Sequence, residues 1–404
     1  MTAMEKKDKN LNVPNLRFPE FSGEWEIHKL SEYLDFKNGL NPDAKRFGRG
    51  LPFISVMDIL AARVICYDNI RAKVEATDKE IECFGVNKGD LLFQRSSETF
   101  EDVGRANVYM DNRTAIYGGF VIRGRKIGNY DPLFFKYLLA TPLARKRTCR
   151  MGAGAQHFNI GQEGLSKISL HFPSIEEQSK IANLFSLIDE RVETQKKIIE
   201  DLKKLKYAIS NKVLHACFCN SDCAIQLSSV LNERKEYNEN DGTYPHGSLS
   251  KEGVTLKSER YDRDFLVKEE DKKYKVSHYN DICYNPANLK FGVISRNKLG
   301  SIIFSPIYVT YEINDKYNSE YIELLVTNYE FIGRVRKFEQ GTVYERMAVS
   351  SEDFLSYKIS FPSKNTQDKI ADNVRAIDTK LQNELNILDR TEKQKNYLLS
   401  QMFI

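Results

Sequence analysis

The sequence contains no G-x-x-x-x-G-K-[ST] phosphate loop, no G-x-G-x-x-G after a strand and no H-E-x-x-H pair. The usual anchors of nucleotide, dinucleotide and zinc-peptidase chemistry are therefore missing. Gly152-Ala153-Gly154 is a lone G-x-G that follows a predicted helix, the wrong context for a dinucleotide fingerprint. Asn285-Pro286-Ala287-Asn288 approaches the N-P-P-[YF] loop of adenine methyltransferases, but it lacks the second proline and the aromatic that stacks on an extruded base. The six histidines are scattered and form no Ser/His/Asp set. By elimination the chain is expected not to be an enzyme. No apolar run approaches the ~18 residues of a membrane span, and the N-terminus (MTAMEKKDKNLNVPN) lacks the apolar core of a signal peptide. A cytoplasmic protein without a membrane partner is expected. Seven cysteines, odd in number and uneven in spacing, fit free thiols in a reducing compartment. Cys217, Cys219 and Cys223 crowd near His215, but not in the paired C-x2-C spacing of zinc sites, so linker thiols are the simpler reading.

What the sequence does have is a repeat. Residues 172–189, FPSIEEQSKIANLFSLID, return as FPSKNTQDKIADNVRAID at an offset of 189 from Phe172 to Phe361. Gln178/Gln367, Lys180/Lys369, Ile181/Ile370, Ala182/Ala371, Ile188/Ile377 and Asp189/Asp378 all match at that offset. Gly152 and Gly341 keep the same register, so the duplication extends upstream of the copied segment. With 404 residues and a hydrophobic fraction of 41%, two or three domains can each bury a core. The plan is globule, helix, globule, helix, which suggests a protein that reads two things a fixed distance apart.

The first globule reads as α+β. Short β-like runs at 53–56, 90–93, 106–109 and 120–122 are followed by one helical pattern, DPLFFKYLLATPLARKR. The second repeats the order loosely, with runs at 282–284, 293–295, 301–304 and 307–309 before the helical SEYIELLVTNYEFIGRVRKF. Each ends in a short strand, at 167–170 and 357–361, and then Pro-Ser breaks the strand and opens a helix. Ser174 with Glu177 predicts a capping box, whereas Ser363 with Thr366 meets half of that rule. Apolar residues then recur at three- and four-residue steps, from Ile181 to Val213 and from Ile370 to Met402, interrupted at Gln195 and Gln394. These are coiled-coil seams that need a partner. Antiparallel pairing of the two helices would create an internal pseudo-twofold axis. The expected domains are 1–171, 172–216, 217–360 and 361–404, with 172–216 and 361–404 as spacers.

The net charge of +4 decides little about nucleic acid, but its distribution is uneven. Residues 123–150 hold eight cations, among them Arg123, Arg145 and Lys146, against a single acid, Asp131. Such crowding is either a solvated helix face or a surface facing an anion. Polar loops supply nucleic-acid chemistry: Lys45, Arg46 and Arg49 in KRFGRG; Gln94, Arg95, Ser96 and Arg105 in FQRSSETFEDVGR; Gln156, His157 and Asn159 in GAGAQHFN. The second globule offers Tyr244, His246 and Ser248 in YPHGS, Asn285, Asn288 and Lys290 in YNPANLKFG, then Arg296, and Tyr344 and Arg346 in GTVYER. Arginine reads guanine edges, Asn and Gln read adenine, and Ser, Lys and loop amides hold phosphates. Polar glycine loops are also ordinary surface turns.

The repeated F-P-S-x3-Q-x-K-I-A-x5-I-D, opening twice onto a long helix after a variable globule, resembles the specificity subunit of a type I restriction-modification system. The resemblance covers nearly the whole chain, from Trp25 and Leu30 to an end within the second helix. It implies two target-recognition domains, each binding one half of a bipartite double-stranded DNA sequence, with paired helices setting the gap. It also implies partners: modification (methyltransferase) subunits, two in number, docked on the helices, and restriction subunits that translocate and cleave. S-adenosylmethionine, ATP and magnesium are then expected on those partners, with no cofactor in this chain. Two other readings remain: a methyltransferase with fused recognition domains, against which the missing motifs count, and a two-headed protein adaptor on the same coiled-coil spacer.

Overall fold

A computed structural model describes residues 12–154, 157–219, 223–239, 242–257, 273–338 and 348–404. The chain divides into two compact units, Met1–Lys196 with Asn386–Ile404, and Lys197–Leu385.

At the centre of the first unit, strand Val121–Lys126 lies antiparallel between Leu34–Asn38 and Leu91–Gln94, with Ala106–Val108 at the far edge. Alternate residues of the Leu91–Gln94 strand face opposite sides. Leu91 and Phe93 enter one apolar cluster while Leu92 enters a second, so the strand is covered on both faces. A second sheet orders Lys73–Val74, Phe47–Ile54, Ala115–Tyr117 and Gly85–Val86, and Phe53 pairs with Ile116 in parallel. The second unit repeats the first sheet's order, with Leu231–Glu233, Val309–Ile313, Ile282–Tyr284 and Ile294–Arg296. The expected run 307–309 is not a strand throughout: residues 305–308 form a turn, closed by Tyr308 N–H donating to Ser305 O at 3.1 Å, and the strand begins at Val309.

The single helical pattern predicted after the first sheet is two helices, Pro132–Ala140 and Pro142–Cys149. Thr141 is extended and caps the second helix, and Pro142 at its first position has no N–H to lose. The second unit breaks at the corresponding place, where Asn328 caps Tyr329–Val335 after Ser319–Val326.

The long helices are Ile175–Cys219, of 45 residues, and Lys364–Gln401, of 38. In the first unit the beginning of the former lies against the end of the latter. Asp189 is ion-paired to Lys395, and Lys196 to Glu392 at 2.8 Å, a descending order that makes the pairing antiparallel. In the second unit Lys206 binds Asp378 at 2.6 Å. The helix ends are core elements. Met402 and Phe403 are buried in the first unit, where the Phe403 ring lies 6.2 Å from Trp25 and 5.8 Å from Phe185. Val213 and Leu214, the residues 189 positions earlier, are buried in the core of the second.

The expected capping box at Ser174 forms only in half. Glu177 N–H donates to Ser174 Oγ at 3.4 Å, but the Glu177 carboxylate accepts from Arg17 Nε and Nη2 at 2.8 and 2.7 Å. A buried carboxylate gains more from a bidentate guanidinium than from a single backbone N–H. The same interaction raises the Arg17 pKa.

Candidate nucleic-acid interface

The duplicated glutamine joins each globule to its long helix. Gln178, buried, donates through Nε2 to Pro173 O at 3.0 Å and accepts through Oε1 from Asp131 N–H at 3.1 Å. Gln367 does the same with Pro362 O at 2.9 Å and Asn318 N–H at 2.9 Å. Asp131 and Asn318 are the N-caps of the helices that follow each sheet. One amide thus fixes the start of the long helix to the start of the globule's own helix. The duplicated aspartates complete the joint. Asp189 accepts from Tyr137 Oη at 2.9 Å as well as from Lys395, and Asp378 binds Lys206. Lys206 and Lys395 are themselves 189 apart, a match lying outside the copied segment and missed by reading that segment alone.

In the first unit two of the polar loops meet. Strand Ser96–Ser97 pairs with Phe158–Asn159, and Ser96 Oγ donates to Asn159 Oδ1. Asn159 Nδ2 reaches His157 O at 3.2 Å. Arg95 O accepts from Ile160 N–H at 2.9 Å, and Arg95 N–H donates to Phe120 O at 2.9 Å. The Arg95 guanidinium is half-buried and donates to Gly119 O at 3.3 Å. Gln94 takes Arg105 O and Gly104 N–H onto its backbone at 2.8 and 2.9 Å. Its side chain is 5% exposed, and Oε1 has no hydrogen-bond partner among the described residues. Arg105 is exposed and paired with Asp102 at 2.6 Å. Gln156 lies outside the described residues.

The remaining first-unit candidates are placed differently. Lys45 is exposed; Arg46 is tied to Glu80 and to Glu75 O, and Arg49 to Glu75 at 2.7 Å. Arg46 and the Thr77 backbone N–H hold the Glu80 carboxyl well down, at about 2. Arg123 is buried and donates to Gly85 O at 2.6 Å, and Arg145 donates to Glu101 O and Val103 O at 2.8 and 2.7 Å. Burial pushes both guanidinium pKa values down. Arg125, Lys126, Lys136 and Arg147 also donate to backbone carbonyls, so most of the basic stretch 123–150 is committed inside the unit; Lys146 and Arg150 are exposed.

In the second unit the YPHGS segment runs beside strand Ile302–Phe304. His246 bridges Ile303, Ile303 N–H donates to Pro245 O at 3.0 Å, and Tyr244 packs with Tyr274, Val276 and Ile303. Ser248 sits in the hairpin Gly247–Ser250/Gly253–Leu256, opposite Thr255. Asn285 is buried and caps the 3-10 helix Pro286–Phe291 by accepting from Ala287 N–H at 3.1 Å, a local duty that occupies the residue a methyltransferase loop would use on a base. Asn288 and Lys290 on that helix are exposed. Arg296 is buried against Glu323 at 3.0 Å and Asn280. Tyr344, Arg346 and Gly341 lie outside the described residues. Cys217 Sγ is buried 3.0 Å from Tyr321 Oη, and Cys223 is exposed. Among the described residues no group of three or more His, Cys, Asp or Glu is placed to hold a metal ion.

Residues 22–204 match the family model described as the Type I restriction modification DNA specificity domain. Over 97% of this chain and 96% of its own length, a putative type I restriction enzyme MjaX specificity subunit from Methanocaldococcus jannaschii is 21% identical. The EcoKI specificity subunit of Escherichia coli is 25% identical over 40% of this chain and 35% of its own. The crystal structure of the type I restriction-modification S subunit from M. genitalium aligns with a TM-score of 0.58 at 16% identity, over 97% of this chain and 99% of that one. Residues 22–204 thus match a DNA-specificity domain, and the likeness to type I restriction enzyme specificity subunits runs along nearly the whole chain. Specificity subunits are the non-catalytic DNA-recognition components of type I restriction-modification systems. No helix among the described residues is long and apolar enough to cross a membrane.

Proposed function

We propose that each globule, 1–171 and 217–360, binds one half of a bipartite double-stranded DNA target, while the helical segments 172–216 and 361–404 set the gap and dock two modification subunits. The observation that carries this reading is the duplication of the joint. Gln178 and Gln367 make the same two hydrogen bonds, each beneath a sheet of the same strand order. A duplicated scaffold under two dissimilar sets of loops suits one task performed on two different sequences.

In the first globule the readers are Arg95, Ser96, Arg105, His157 and Asn159, with Gln94 beneath them; in the second they are Tyr244, His246, Ser248, Asn288 and Lys290. Lys45 and Lys146 suit phosphate contacts. S-adenosylmethionine, ATP and magnesium act on the partner subunits, and the assembly works in the cytoplasm. The test is methylation mapping in cells carrying this chain with its modification subunit. The expected result is one methylated adenine in each of two half-sites at a constant gap. Arg95→Ala should relax one half and Lys290→Ala should weaken the other. A continuous target, or a change in both halves from either variant, would overturn the proposal.

A further inference from the structure

Phe120 is 69% exposed, yet the backbone on both sides of it is held tightly. Gly118, Gly119 and Val121 are buried, and residues 118–121 form a turn closed by Val121 N–H donating to Gly118 O at 2.9 Å. Gly118 N–H reaches Ile54 O at 3.0 Å, Gly39 N–H reaches Val121 O at 3.2 Å, and Phe120 O takes the Arg95 N–H. A Cβ on Gly39 would overlap Gly118 O, and one on Gly119 would overlap the Asn41 side chain, so glycine is what lets these strands close on the turn. A ring on a floppy loop could fold back onto apolar surface. This turn is pinned from three sides and keeps the ring in water, beside Arg95.

The second unit exposes an apolar side chain at the matching turn with unrelated residues. The turn at 305–308 leads into Val309–Ile313, the strand that occupies the sheet position of Val121–Lys126. Its third residue, Ile307, is 60% exposed, and Phe120 is the third residue of its own turn. Strand Ile302–Phe304, which feeds this turn, runs beside His246. A single exposed apolar side chain needs no explanation. Two, at one position of a duplicated fold, one beside Arg95 and the other on the turn that follows the strand paired with His246, do.

We infer that Phe120 and Ile307 are apolar wedges, each pressed against or between the bases of one half-site. Rigid Phe and Ile side chains enter a base step by partly unstacking it, and the cost is offset by closer contact of the flanking polar groups with the duplex. The inference rests on the DNA-recognition reading and adds to it a sequence preference at positions without hydrogen-bond readout, because pyrimidine–purine steps unstack most easily.

The test uses the chain assembled with its modification subunits and the duplex identified by methylation mapping, with 2-aminopurine placed at successive steps. Wild type should raise fluorescence at one step in each half-site. Phe120→Ala should abolish the signal in one half only, and Ile307→Ala in the other. Each variant should weaken binding about tenfold. The slope of affinity against salt should not change, because no phosphate contact is lost. Phe120→Leu should retain much of the signal. Failure of wild type to bind any duplex specifically would overturn the DNA-recognition reading itself. Wild-type binding with unchanged affinity and fluorescence in Phe120→Ala, or a loss confined to assembly with the modification subunits, would overturn the wedge alone.

Discussion

Replacing Gln178 by alanine should loosen the first globule on its helix, and Gln367→Ala should do the same in the second unit. Both side chains are almost fully buried, at 3% and 1% exposure, and each substitution strands a backbone N–H and a carbonyl. A buried polar group left without a partner costs about 1–3 kcal/mol, so a loss of about 2–4 kcal/mol is expected for each variant. At about 2–4 °C per kcal/mol for units of this size, melting should fall by roughly 5–15 °C. The two effects should add, because the sites share no partner. The glutamate variant is the informative control. At neutral pH its carboxylate would face the proline carbonyl as an unpaired buried charge, so Gln178→Glu should cost at least as much as Gln178→Ala, and should recover part of that loss on acidification, when the protonated acid can donate. Scanning calorimetry gives the melting shift, and exchange of the Asp131 amide hydrogen, expected to accelerate at least tenfold in Gln178→Ala, reports the local loss. A cost under about 0.5 kcal/mol at both glutamines, the range of an ordinary surface change, would refute the view that the repeated amide is a structural joint.

A four-residue insertion in each long helix, after Lys197 and after Leu385, adds ~6 Å. If the helices set the gap, methylation mapping on a library of spacings should show it lengthened by roughly one to two base pairs, at ~10 base pairs per ~34 Å turn, with half-site bases unchanged. Glu80, held at about 2 against a usual value of 4.5, should keep its tie to Arg46 as pH falls below 4.5 and lose it only as pH passes through about 2. Because the folded value is depressed, this stabilisation is present above the usual value and lost on acidification; in Arg46→Ala the Glu80 titration midpoint, followed by NMR, should move up toward the usual value. Cys283 is buried and its thiol is pushed up to about 12, so a thiol reagent at pH 8 should modify the exposed Cys223 first and reach Cys283 only on unfolding, as peptide mass mapping would show.

The duplication, the two long helices and the family resemblance were legible in the sequence because each depends on local spacing. A 189-residue offset survives any tertiary arrangement, and a three-and-four apolar rhythm commits a segment to helix before its partner is known. The α+β character of each globule was also visible, from short β-branched runs followed by helical periodicity. Local pattern could not show what lies far apart in the chain. Glu177 satisfies the sequence rule for a capping box, yet its carboxylate belongs to Arg17, 160 residues away. Arg123 and Arg145 look like anion contacts in the sequence, and only the fold reveals the carbonyls that claim them. Phe120 and Ile307 fall in runs that read as strands, because an apolar residue beside other apolar residues predicts burial. Their exposure is decided by turns pinned by Ile54, Arg95 and Gly39 in one unit and closed on Ser305 in the other. Sequence fixes the periodicity that chooses elements, while the packing of distant elements decides which polar groups are already satisfied and which side chains remain to meet a partner.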